Sequence, residues 1–320
     1  MPGLPPLLVF SPEAAEAQHY LELLHRDRPA LRVAAASTLA DALIAGAEAE
    51  ILLGWRFPSG LVEAMPRLRW VHKISAGVED LALGGVLPPG VRLTRSDGAA
   101  IAPRMVEYVL GAIYMKTQRF ERAWRQQARR HWELYMIDLA AGRKTVGVAG
   151  LGDIGGTIAR ALTRNGMRVV GWRRAPVAAE GVERIYAGRE ELADFVAECD
   201  FVVAVLPTTL ETAGVFSAEV FAAMRPEAIF INIGRGASVD EAALIEALET
   251  GRIGGAVLDV FAEEPLRQDS PLWGMPQVTI TPHVSGPLIA EDVLPLFLQN
   301  LRRYAAGEPL LREVDLERGY

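Results

Sequence analysis

Short apolar runs alternate with stretches of helical period along most of the chain, and this alternation constrains the fold more than any other feature. It is typical of βαβ units, in which crossover helices connect parallel strands. In the first hundred residues the predicted strands are 7–10, 31–34, 50–53, 70–74 and 91–93. The later predicted strands are 145–149, 168–172, 201–206, 229–233, 255–260 and 278–281, the six expected of a doubly wound domain. The predicted fold class is therefore α/β, with two doubly wound parallel sheets.

The length and two long helical stretches indicate how these sheets are distributed. At 320 residues the chain exceeds the usual size of one domain, which favours two. A helical pattern over 102–130, opened by Pro103, is predicted to join them, and another over 290–306 to return to the first. We therefore expect one domain from 1–101 together with 288–320, and a second from 102–287.

Composition and charge exclude several classes of protein. The formal net charge of −7 argues against a nucleic-acid binder, because phosphate neutralisation requires a basic surface. Five arginines at helical spacing would form a basic stripe, for which solvated or subunit-contacting side chains are the simpler explanation: Arg119, Arg122, Arg125, Arg129 and Arg130. No apolar run is long enough to span a membrane, and the first ten residues lack the basic region of a signal peptide. The cytoplasm is the expected compartment.

Cysteine and histidine are too few and too scattered to indicate a metal site. The single cysteine, Cys199, precedes an apolar run, where a buried and inert thiol is expected. The spacing of these residues matches no metal-binding motif, so no metal ion is predicted. Four histidines are interpreted as packing or surface residues: His19, His25, His72 and His131.

A glycine-rich loop follows the predicted strand 145–149 and precedes a helical stretch over 156–165, the context that a dinucleotide-binding motif requires. The first glycine permits a tight turn, the second lets a pyrophosphate approach the backbone, and the third allows close packing of helix on strand. The helix N-terminus then offers N–H donors to the phosphates. A glycine turn without a ligand is the alternative. The loop consists of Gly150, Leu151, Gly152, Asp153, Ile154 and Gly155.

The end of the next predicted strand indicates which coenzyme is preferred. NAD-binding domains carry an Asp or Glu there to bind the ribose hydroxyls. This chain instead has Trp172, Arg173 and Arg174, and a guanidinium binds a 2′-phosphate bidentately. We therefore predict NADP(H) in preference to NAD(H), the alternative being that both arginines are solvated.

Three later segments each follow a predicted strand: NIGRG over 232–236, LDVFAEEPL over 258–266 and TPH over 281–283. Ligands of open α/β sheets bind at the carboxyl ends of the strands. Arg235, Glu264 and His283 are therefore predicted to converge on one crevice. Taken singly, each has a simpler explanation, as an ion-pair, turn-capping or core residue.

Together with the glycine loop, the order and spacing of these segments resemble those of the D-isomer-specific 2-hydroxyacid dehydrogenases. The resemblance extends from the loop SAGVE over 75–79 to the final predicted helix. Within that family the chain is similar to the bacterial glyoxylate/hydroxypyruvate reductases, through Arg173, Arg174 and the runs 186–192 and 314–320. The resemblance implies a Rossmann-type coenzyme domain, a smaller flavodoxin-like substrate domain, and reduction of a small 2-oxo acid to a 2-hydroxy acid.

The roles of the candidate residues follow from the resemblance and from what hydride transfer demands. Negative charge grows on the carbonyl oxygen, which requires a proton donor and a fixed cation. His283 is assigned as the donor, and Glu264 as the residue that orients its ring and favours its protonated form. Arg235 is expected to hold the substrate carboxylate, and Asp259 to bind the nicotinamide carboxamide. Backbone donors for the substrate are expected from the smaller domain at Ala76, Gly77 and Val78.

The resemblance also implies further contacts. Trp55 is a candidate pocket wall, with a core position as the alternative, and the segment 131–135 is expected at a homodimer contact that brings Trp132 toward the neighbouring subunit's site. A departure from the family's usual residues over 284–287 suggests a different local shape near the nicotinamide, and another occurs at 208–209, in the loop after Pro207. Besides the glycine loop, the strand end and His283, the expected coenzyme contacts are Leu206, Pro207, Thr212, Ile233, Gly234, Ser285 and Gly286.

Two other functions remain open on the sequence alone. The chain could act on a bulkier aromatic or branched-chain 2-oxo acid, or oxidise a D-2-hydroxy acid, since pocket size is not encoded in these motifs. It could also be a non-catalytic dinucleotide sensor that binds a protein partner, although the presence of Arg235, Glu264 and His283 argues against this. Formate oxidation is disfavoured, because relatives with that activity carry Gln in place of Glu264.

Overall fold

The computed structural model of the chain describes residues 4–82, 86–137 and 140–316. The chain divides into two compact units, which are described separately. Unit 1 comprises Met1–Ala100 with Leu288–Tyr320, and unit 2 comprises Ile101–Pro287. Residues 317–320, part of the run used above for the resemblance, lie outside the described residues.

Unit 1 is built on a parallel sheet. Its strands are Leu7–Phe10 (β1), Val33–Ala36 (β2), Ile51–Gly54 (β3), Trp70–Lys73 (β4) and Arg92–Arg95 (β5). They pair in the order β2-β1-β3-β4-β5, with Leu7 opposite both Val33 and Ile51. This is the flavodoxin-like order, so the fold predicted for the smaller domain is confirmed. The helices of the unit are Ala14–Asp27 (α1), Leu39–Ala45 (α2), Glu79–Ala82 (α3) and Ala290–Ala305 (α10).

Apolar clusters cover both faces of this sheet. Successive side chains of a strand point to opposite sides, so one strand can contribute to both clusters. Leu7 and Val9 belong to one apolar cluster, and Leu8 and Phe10 to another. Helix α10 packs in the first cluster, where the ring of Phe297 stacks on Trp70 with centroids 5.2 Å apart. Its buried apolar side chains recur at helical spacing, which gives the helix one apolar face: Ala290, Val293, Leu294, Phe297 and Leu301.

Unit 2 also contains a parallel sheet. Its strands are Thr145–Ala149 (β6), Arg168–Arg173 (β7), Arg184–Ala187 (β8), Phe201–Ala204 (β9), Ile229–Asn232 (β10), Gly255–Leu258 (β11) and Val278–Ile280 (β12). They pair in the order β8-β7-β6-β9-β10-β11-β12, the doubly wound Rossmann arrangement extended by one strand. The predicted fold class is therefore confirmed for both units. The helices are Gly98–Thr117 (α4), Phe120–Ala128 (α5), Asp153–Arg164 (α6), Leu192–Ala197 (α7), Ala218–Ala223 (α8) and Glu241–Glu249 (α9). The first three residues of α4 belong to unit 1.

The sequence prediction missed strand β8 and gave six strands where the described sheet has seven. This strand pairs only with β7, at the edge of the sheet. Of its four residues, only Tyr186 is buried, while Arg184 is exposed. A strand with one buried side chain produces no apolar run, so the pattern used to find strands does not detect it. The other predicted strands of both units agree with the observed ones to within two residues.

The single helix predicted over 102–130 is wrong. Helix α4 begins earlier, at Gly98, where the Asp97 carboxylate accepts a hydrogen bond of 2.9 Å from the Ala99 N–H, and Pro103 lies inside it. Its end is separated from α5 by Arg119, which adopts a left-handed conformation with φ of 52°. An uncommon backbone conformation at a residue other than glycine is not visible in the periodicity of side chains.

No helix within the described ranges is both long enough and apolar enough to cross a lipid bilayer. Cys199 is fully buried, its Sγ lies 3.0 Å from the carbonyl oxygen of Phe195, and burial raises the pKa of its thiol. The inert thiol expected from the sequence fits this environment.

Candidate active site

Loops of unit 2 meet at the carboxyl edge of its sheet. Because adjacent parallel strands end at the same edge, the loops after β6, β9, β10 and β11 lie side by side. Their backbones approach so closely that a Cβ on Gly234 would lie 2.7 Å from the Leu206 nitrogen, and one on Gly236 would lie 1.8 Å from the Phe261 carbonyl carbon. Glycine is required at both places, and the loops form a continuous surface.

The glycine turn after β6 has the geometry that its sequence predicts. Gly150 adopts φ of 98°, and a Cβ on Gly155 would lie only 1.8 Å from the Gly150 carbonyl oxygen. A Cβ on Gly152 would meet no described atom within 4 Å. Helix α6 begins directly after Gly152, with Ile154 half-buried and Leu151 buried. The turn therefore packs tightly at its first and third glycines and leaves room over the second.

The residues present fit a dinucleotide phosphate group. The room over Gly152 admits an anion to the backbone, and the first turn of an α-helix has N–H groups with no partner inside the helix. Arg173 and Arg174 lie at the end of β7, the half-buried Arg173 donating to the Val177 carbonyl at 3.1 Å and the exposed Arg174 lying 3.8 Å from Glu211. Trp172 is buried and donates through Nε1 to the Gly188 carbonyl at 2.7 Å.

Five of the other predicted coenzyme contacts lie in the loops after β9 and β10, whereas Ser285 and Gly286 follow β12. Leu206, Ile233 and Gly234 are buried, and Pro207 is exposed. Thr212 closes the first of these loops, since its hydroxyl donates to the Pro207 carbonyl at 2.6 Å. These residues belong to the same edge as the glycine turn.

Arg235 occupies the loop after β10, immediately before the close approach of Gly236 to the loop after β11. Its side chain is half-buried, and Nη1 donates to the Gly234 carbonyl at 2.7 Å. The Asn232 side chain supports the turn, donating to the Arg235 carbonyl at 3.2 Å and accepting from the Gly234 N–H at 3.1 Å. The guanidinium is therefore carried by a turn that is fixed at both ends.

His283 and Glu264 meet across two loops. The Nδ1 atom of His283 lies 2.8 Å from Oε2 of Glu264, and the other carboxylate oxygen accepts from the Phe261 N–H at 3.3 Å. The His283 side chain is about one third exposed, at 35%. Its backbone is left-handed, with φ of 55°, an uncommon conformation that often accompanies a functional site.

Asp259 holds the loop that carries His283. Its carboxylate is fully buried and accepts three hydrogen bonds from that loop: from the Thr281 hydroxyl at 2.5 Å, the Val284 N–H at 2.8 Å and the Ser285 N–H at 2.8 Å. Its carbonyl oxygen also accepts from the His283 N–H at 2.9 Å. The predicted contact of Asp259 with the nicotinamide carboxamide stays a prediction.

Helix α4 supports the same loop from another side. The Tyr108 hydroxyl lies 2.7 Å from the Thr281 hydroxyl, and burial raises the pKa of Tyr108 to about 12. Because Thr281 donates its proton to Asp259, Tyr108 must be the donor to Thr281. A Cβ on Gly286 would lie 2.8 Å from Cγ of Met105, so the loop also packs tightly on the helix. Sequence reasoning missed Tyr108, since nothing in the motif links it to Thr281.

The predicted substrate residues of unit 1 lie after β3 and β4. Trp55 is exposed, with the guanidinium of Arg56 over its ring at 4.5 Å, so the core position considered as an alternative is wrong. In the loop after β4, Val78 is buried, whereas Ala76 and Gly77 are half-buried. The Ala76 carbonyl accepts a hydrogen bond of 3.0 Å from Nη1 of Arg95, a residue that sequence reasoning did not single out.

Metal binding is the other chemistry that histidines and acidic residues could support. Within residues 4–82, 86–137 and 140–316, no group of three or more His, Cys, Asp or Glu side chains is arranged to hold a metal ion. His72 is fully buried in unit 1, and burial lowers its pKa to about 3. Its Nδ1 lies 2.7 Å from the Thr94 hydroxyl, which fits the packing role expected from the sequence.

Comparison with known proteins places this geometry in one family. Residues 110–285 match the family model of the D-isomer specific 2-hydroxyacid dehydrogenase, NAD binding domain. The chain is 34% identical over 277 residues to the glyoxylate/hydroxypyruvate reductase A of Serratia proteamaculans, covering 85% of this chain and 88% of that one.

Solved structures agree over nearly the whole length. A D-isomer specific 2-hydroxyacid dehydrogenase from Xanthobacter autotrophicus, in complex with NADPH, is 37% identical, with a TM-score of 0.87 over 99% of this chain and 100% of that one. An NADPH-dependent glyoxylate/hydroxypyruvate reductase from Sinorhizobium meliloti, in complex with NADP, is 31% identical, with a TM-score of 0.89 over 99% and 100%. The chain thus belongs to the family of D-isomer-specific 2-hydroxyacid dehydrogenases.

Proposed function

We propose that this protein reduces small 2-oxo acids, glyoxylate and hydroxypyruvate, to 2-hydroxy acids with NADPH. The observation that carries the proposal is the contact of 2.8 Å between His283 and Glu264, at the sheet edge that also bears Arg235 and the glycine turn. The relative from Serratia proteamaculans, which is named for both substrates, supports the choice of a small 2-oxo acid. The cytoplasm stays the predicted compartment.

His283 acts as the proton donor in this proposal. An ionised carboxylate only accepts hydrogen bonds, so the contact with Glu264 requires a proton on Nδ1 of His283. In the imidazolium form Nε2 also carries a proton, and this is the one transferred to the carbonyl oxygen as negative charge develops there. The neutral ring that results keeps its Nδ1–H bond to Glu264, so its orientation is the same before and after transfer.

The other residues bind and orient the reactants. NADPH, when bound, supplies the hydride that C2 of the 2-oxo acid receives, and the proton from His283 completes the hydroxyl group. Arg235 is assigned to the substrate carboxylate and to polarisation of the carbonyl, since a guanidinium pairs with a carboxylate through two parallel hydrogen bonds. The loop 75–78 is assigned to substrate binding through backbone donors. Arg173 and Arg174 are assigned to the 2′-phosphate, which the NADPH and NADP complexes of two relatives support.

The first experiment measures NADPH oxidation with glyoxylate, hydroxypyruvate, phenylpyruvate and 2-oxoisovalerate, for the wild type and for His283→Asn. Asparagine suits the left-handed backbone at this position and cannot donate the proton. We expect the two smaller acids to give the higher kcat/KM, and the variant to lose about 100-fold or more in kcat with its Kd for NADPH unchanged. His25→Asn, at an exposed position of α1, is the control. Full turnover by His283→Asn would remove this residue from its role.

The second experiment tests the coenzyme. Wild-type kcat/KM should be higher with NADPH than with NADH, and Arg173→Ala should lose about 10-fold or more with NADPH while changing little with NADH, because only NADPH carries the 2′-phosphate. Arg184→Ala, an exposed arginine of the neighbouring strand β8, is the matched control. A wild-type preference for NADH would overturn the assignment.

We also propose a homodimer formed through the segment 131–137. Trp132, Leu134 and Met136 are 91%, 86% and 85% exposed, an arrangement of large apolar side chains that a partner surface would cover. Light scattering after gel filtration should give a dimer for the wild type and a monomer for a Trp132→Ser, Leu134→Ser double variant. Ile44→Ser on α2, at a position 80% exposed, should leave the dimer intact. A monomeric wild type would refute the proposal.

A further inference from the structure

The loop 75–78 of unit 1 is held through its carbonyl groups. It connects β4 to α3 and has two side-chain donors directed at its backbone. Nη1 of Arg95 donates to the Ala76 carbonyl at 3.0 Å, and the Ser75 hydroxyl donates to the Gly77 carbonyl at 2.6 Å. Both peptide groups on either side of Gly77 are therefore fixed.

Fixing a carbonyl also fixes the neighbouring N–H. In a trans peptide the C=O and N–H bonds of one plane point in opposite directions. The Arg95 contact thus directs the Gly77 N–H away from Arg95, and the Ser75 contact directs the Val78 N–H away from Ser75. Among the described residues, neither N–H group donates a hydrogen bond. Because backbone donors in buried segments are rarely left unpaired, these two are suited to an external acceptor.

Arg95 is itself firmly placed at the end of β5. Its side chain is half-buried, and its N–H donates to the Arg312 carbonyl at 3.2 Å. The next residue, Ser96, is buried, and its N–H lies within hydrogen-bond distance of the carbonyls of Lys73 at 3.0 Å and Ser75 at 3.2 Å. The residue after Arg95 is thus hydrogen-bonded to Lys73 and Ser75, in the part of the chain that leads into the loop. These bonds limit the movement of the guanidinium relative to Ala76.

We propose that Arg95 is a positioning residue for substrate binding: through the Ala76 carbonyl it sets the direction of the Gly77 N–H, which binds the carboxylate of the 2-oxo acid. The inference rests on the proposed reductase function and adds a residue outside its motifs. Arg95 needs no contact with the substrate for this role.

Arg95→Met removes the donor and keeps the aliphatic stem, and Arg95→Lys restores one charged donor. Because the contact supports substrate binding and not the chemical step, we expect Arg95→Met to raise KM for glyoxylate about 10- to 100-fold with kcat changed less than about 3-fold. The inhibition constant of oxalate, an anion that accepts no hydride, should rise in parallel. Arg95→Lys should bring both KM for glyoxylate and the inhibition constant of oxalate part of the way back to their wild-type values. The Kd for NADPH should stay at its wild-type value in both variants.

Arg92→Met is the matched control. Arg92 starts the same strand and forms two hydrogen bonds with Glu313, at 2.7 and 2.8 Å, without a contact to the loop. Its variant should keep the wild-type KM. The inference is overturned if Arg95→Met raises KM no more than Arg92→Met does, or if kcat falls as much as KM rises. A wild type that reduces no 2-oxo acid would refute the proposed function first, and the inference with it.

Discussion

Two loops of this molecule are held by opposite kinds of hydrogen bond. In unit 2, the loop 281–285 directs two N–H groups and one hydroxyl at a single acceptor, the buried carboxylate of Asp259. In unit 1, the loop 75–78 directs two carbonyls at donors, Arg95 and the Ser75 hydroxyl. The first loop carries the imidazole of His283, whereas the second carries backbone N–H groups without a partner among the described residues.

In the proposed function, the difference follows from the group that each loop offers to the reactants. A loop that presents a side chain can use its N–H groups internally, and a buried carboxylate is a strong acceptor for several of them. A loop that binds an anion through N–H groups must be held by its carbonyls, which calls for donors such as a guanidinium or a hydroxyl. In the proposed function, the charge of the supporting residue thus depends on whether the loop offers a side chain or its N–H groups to the ligand.

The largest effect is expected from Asp259→Asn. The amide has one acceptor oxygen in place of two, and its NH₂ group faces a backbone N–H of Val284 or Ser285, which cannot accept from it. We expect kcat to fall about 100-fold or more and the free energy of unfolding to fall by about 2–4 kcal/mol, as for other buried groups that lose charge-assisted hydrogen bonds. Enzyme assays and urea unfolding measure the two quantities.

Asp240→Asn is the control for this change. Asp240 is an exposed carboxylate that caps α9, accepting from the Ala243 N–H at 3.1 Å. Its replacement should leave kcat unchanged and cost at most about 1 kcal/mol. Equal effects of the two variants would mean that the buried carboxylate has no special part in holding the His283 loop.

The next largest effect is expected to be a loss of local stability in unit 1 at acid pH. His72 lies in β4, the strand that leads into the loop 75–78, and burial lowers its pKa from 6.5 to about 3. Below about pH 6.5 the imidazole of His72 is therefore protonated when the strand is open and neutral when it is folded. Acid thus favours the open state. Between pH 7 and pH 5 the opening free energy should fall by about 2 kcal/mol, at about 1.4 kcal/mol for each pH unit below 6.5.

Hydrogen exchange followed by mass spectrometry measures this quantity separately for peptides of β4 and of β10. The decrease in opening free energy should be confined to β4 and its neighbours in unit 1. The variant His72→Asn, whose side chain can accept from the Thr94 hydroxyl but does not titrate, should show no such decrease. An equal loss in β10, or the same loss in the variant, would assign the acid sensitivity to other groups.

A smaller effect is expected from Tyr108→Phe, which removes the donor to Thr281 and leaves the helix intact. Thr281 keeps its bond to Asp259, so the loop should loosen without losing its main support. We expect kcat to fall about 3- to 10-fold and the free energy of unfolding to fall by about 1 kcal/mol. Tyr114→Phe on the same helix, where the hydroxyl donates to Asn165 at an exposed site, should change neither. A kcat equal to that of the control would show that Tyr108 does not support the loop.

The smallest effect is expected from Ser75→Ala. The lost hydrogen bond is neutral and local, so KM for glyoxylate should rise only about 2- to 5-fold, less than for Arg95→Met, with kcat unchanged. Steady-state kinetics of the two variants side by side provide the measurement. A larger rise in KM for Ser75→Ala than for Arg95→Met would reverse the order of importance inferred for the two donors.

Much of the fold could be predicted because apolar runs and glycine spacing report on strands and tight turns. The edge strand with Tyr186 and the left-handed break at Arg119 could not, since each depends on neighbours that are distant in sequence or on backbone angles. Motif spacing identified the segments that carry Glu264 and His283, and the structure brings these two side chains together. Tyr108, which supports the loop of His283, and Arg95, which supports the loop 75–78, belong to no motif and touch these loops only after folding.

The buried carboxylate of Asp259 also has a consequence for the entropy of catalysis. Ordering a segment costs about 1–2 kcal/mol for each residue, and here the hydrogen bonds from Thr281, Val284 and Ser285 meet that cost while unit 2 folds. Binding of the reactants then does not have to supply the free energy for ordering the segment that bears the imidazole. In the proposed mechanism the imidazole of His283 is therefore held in place before the reactants bind, so binding energy remains for aligning the reacting atoms.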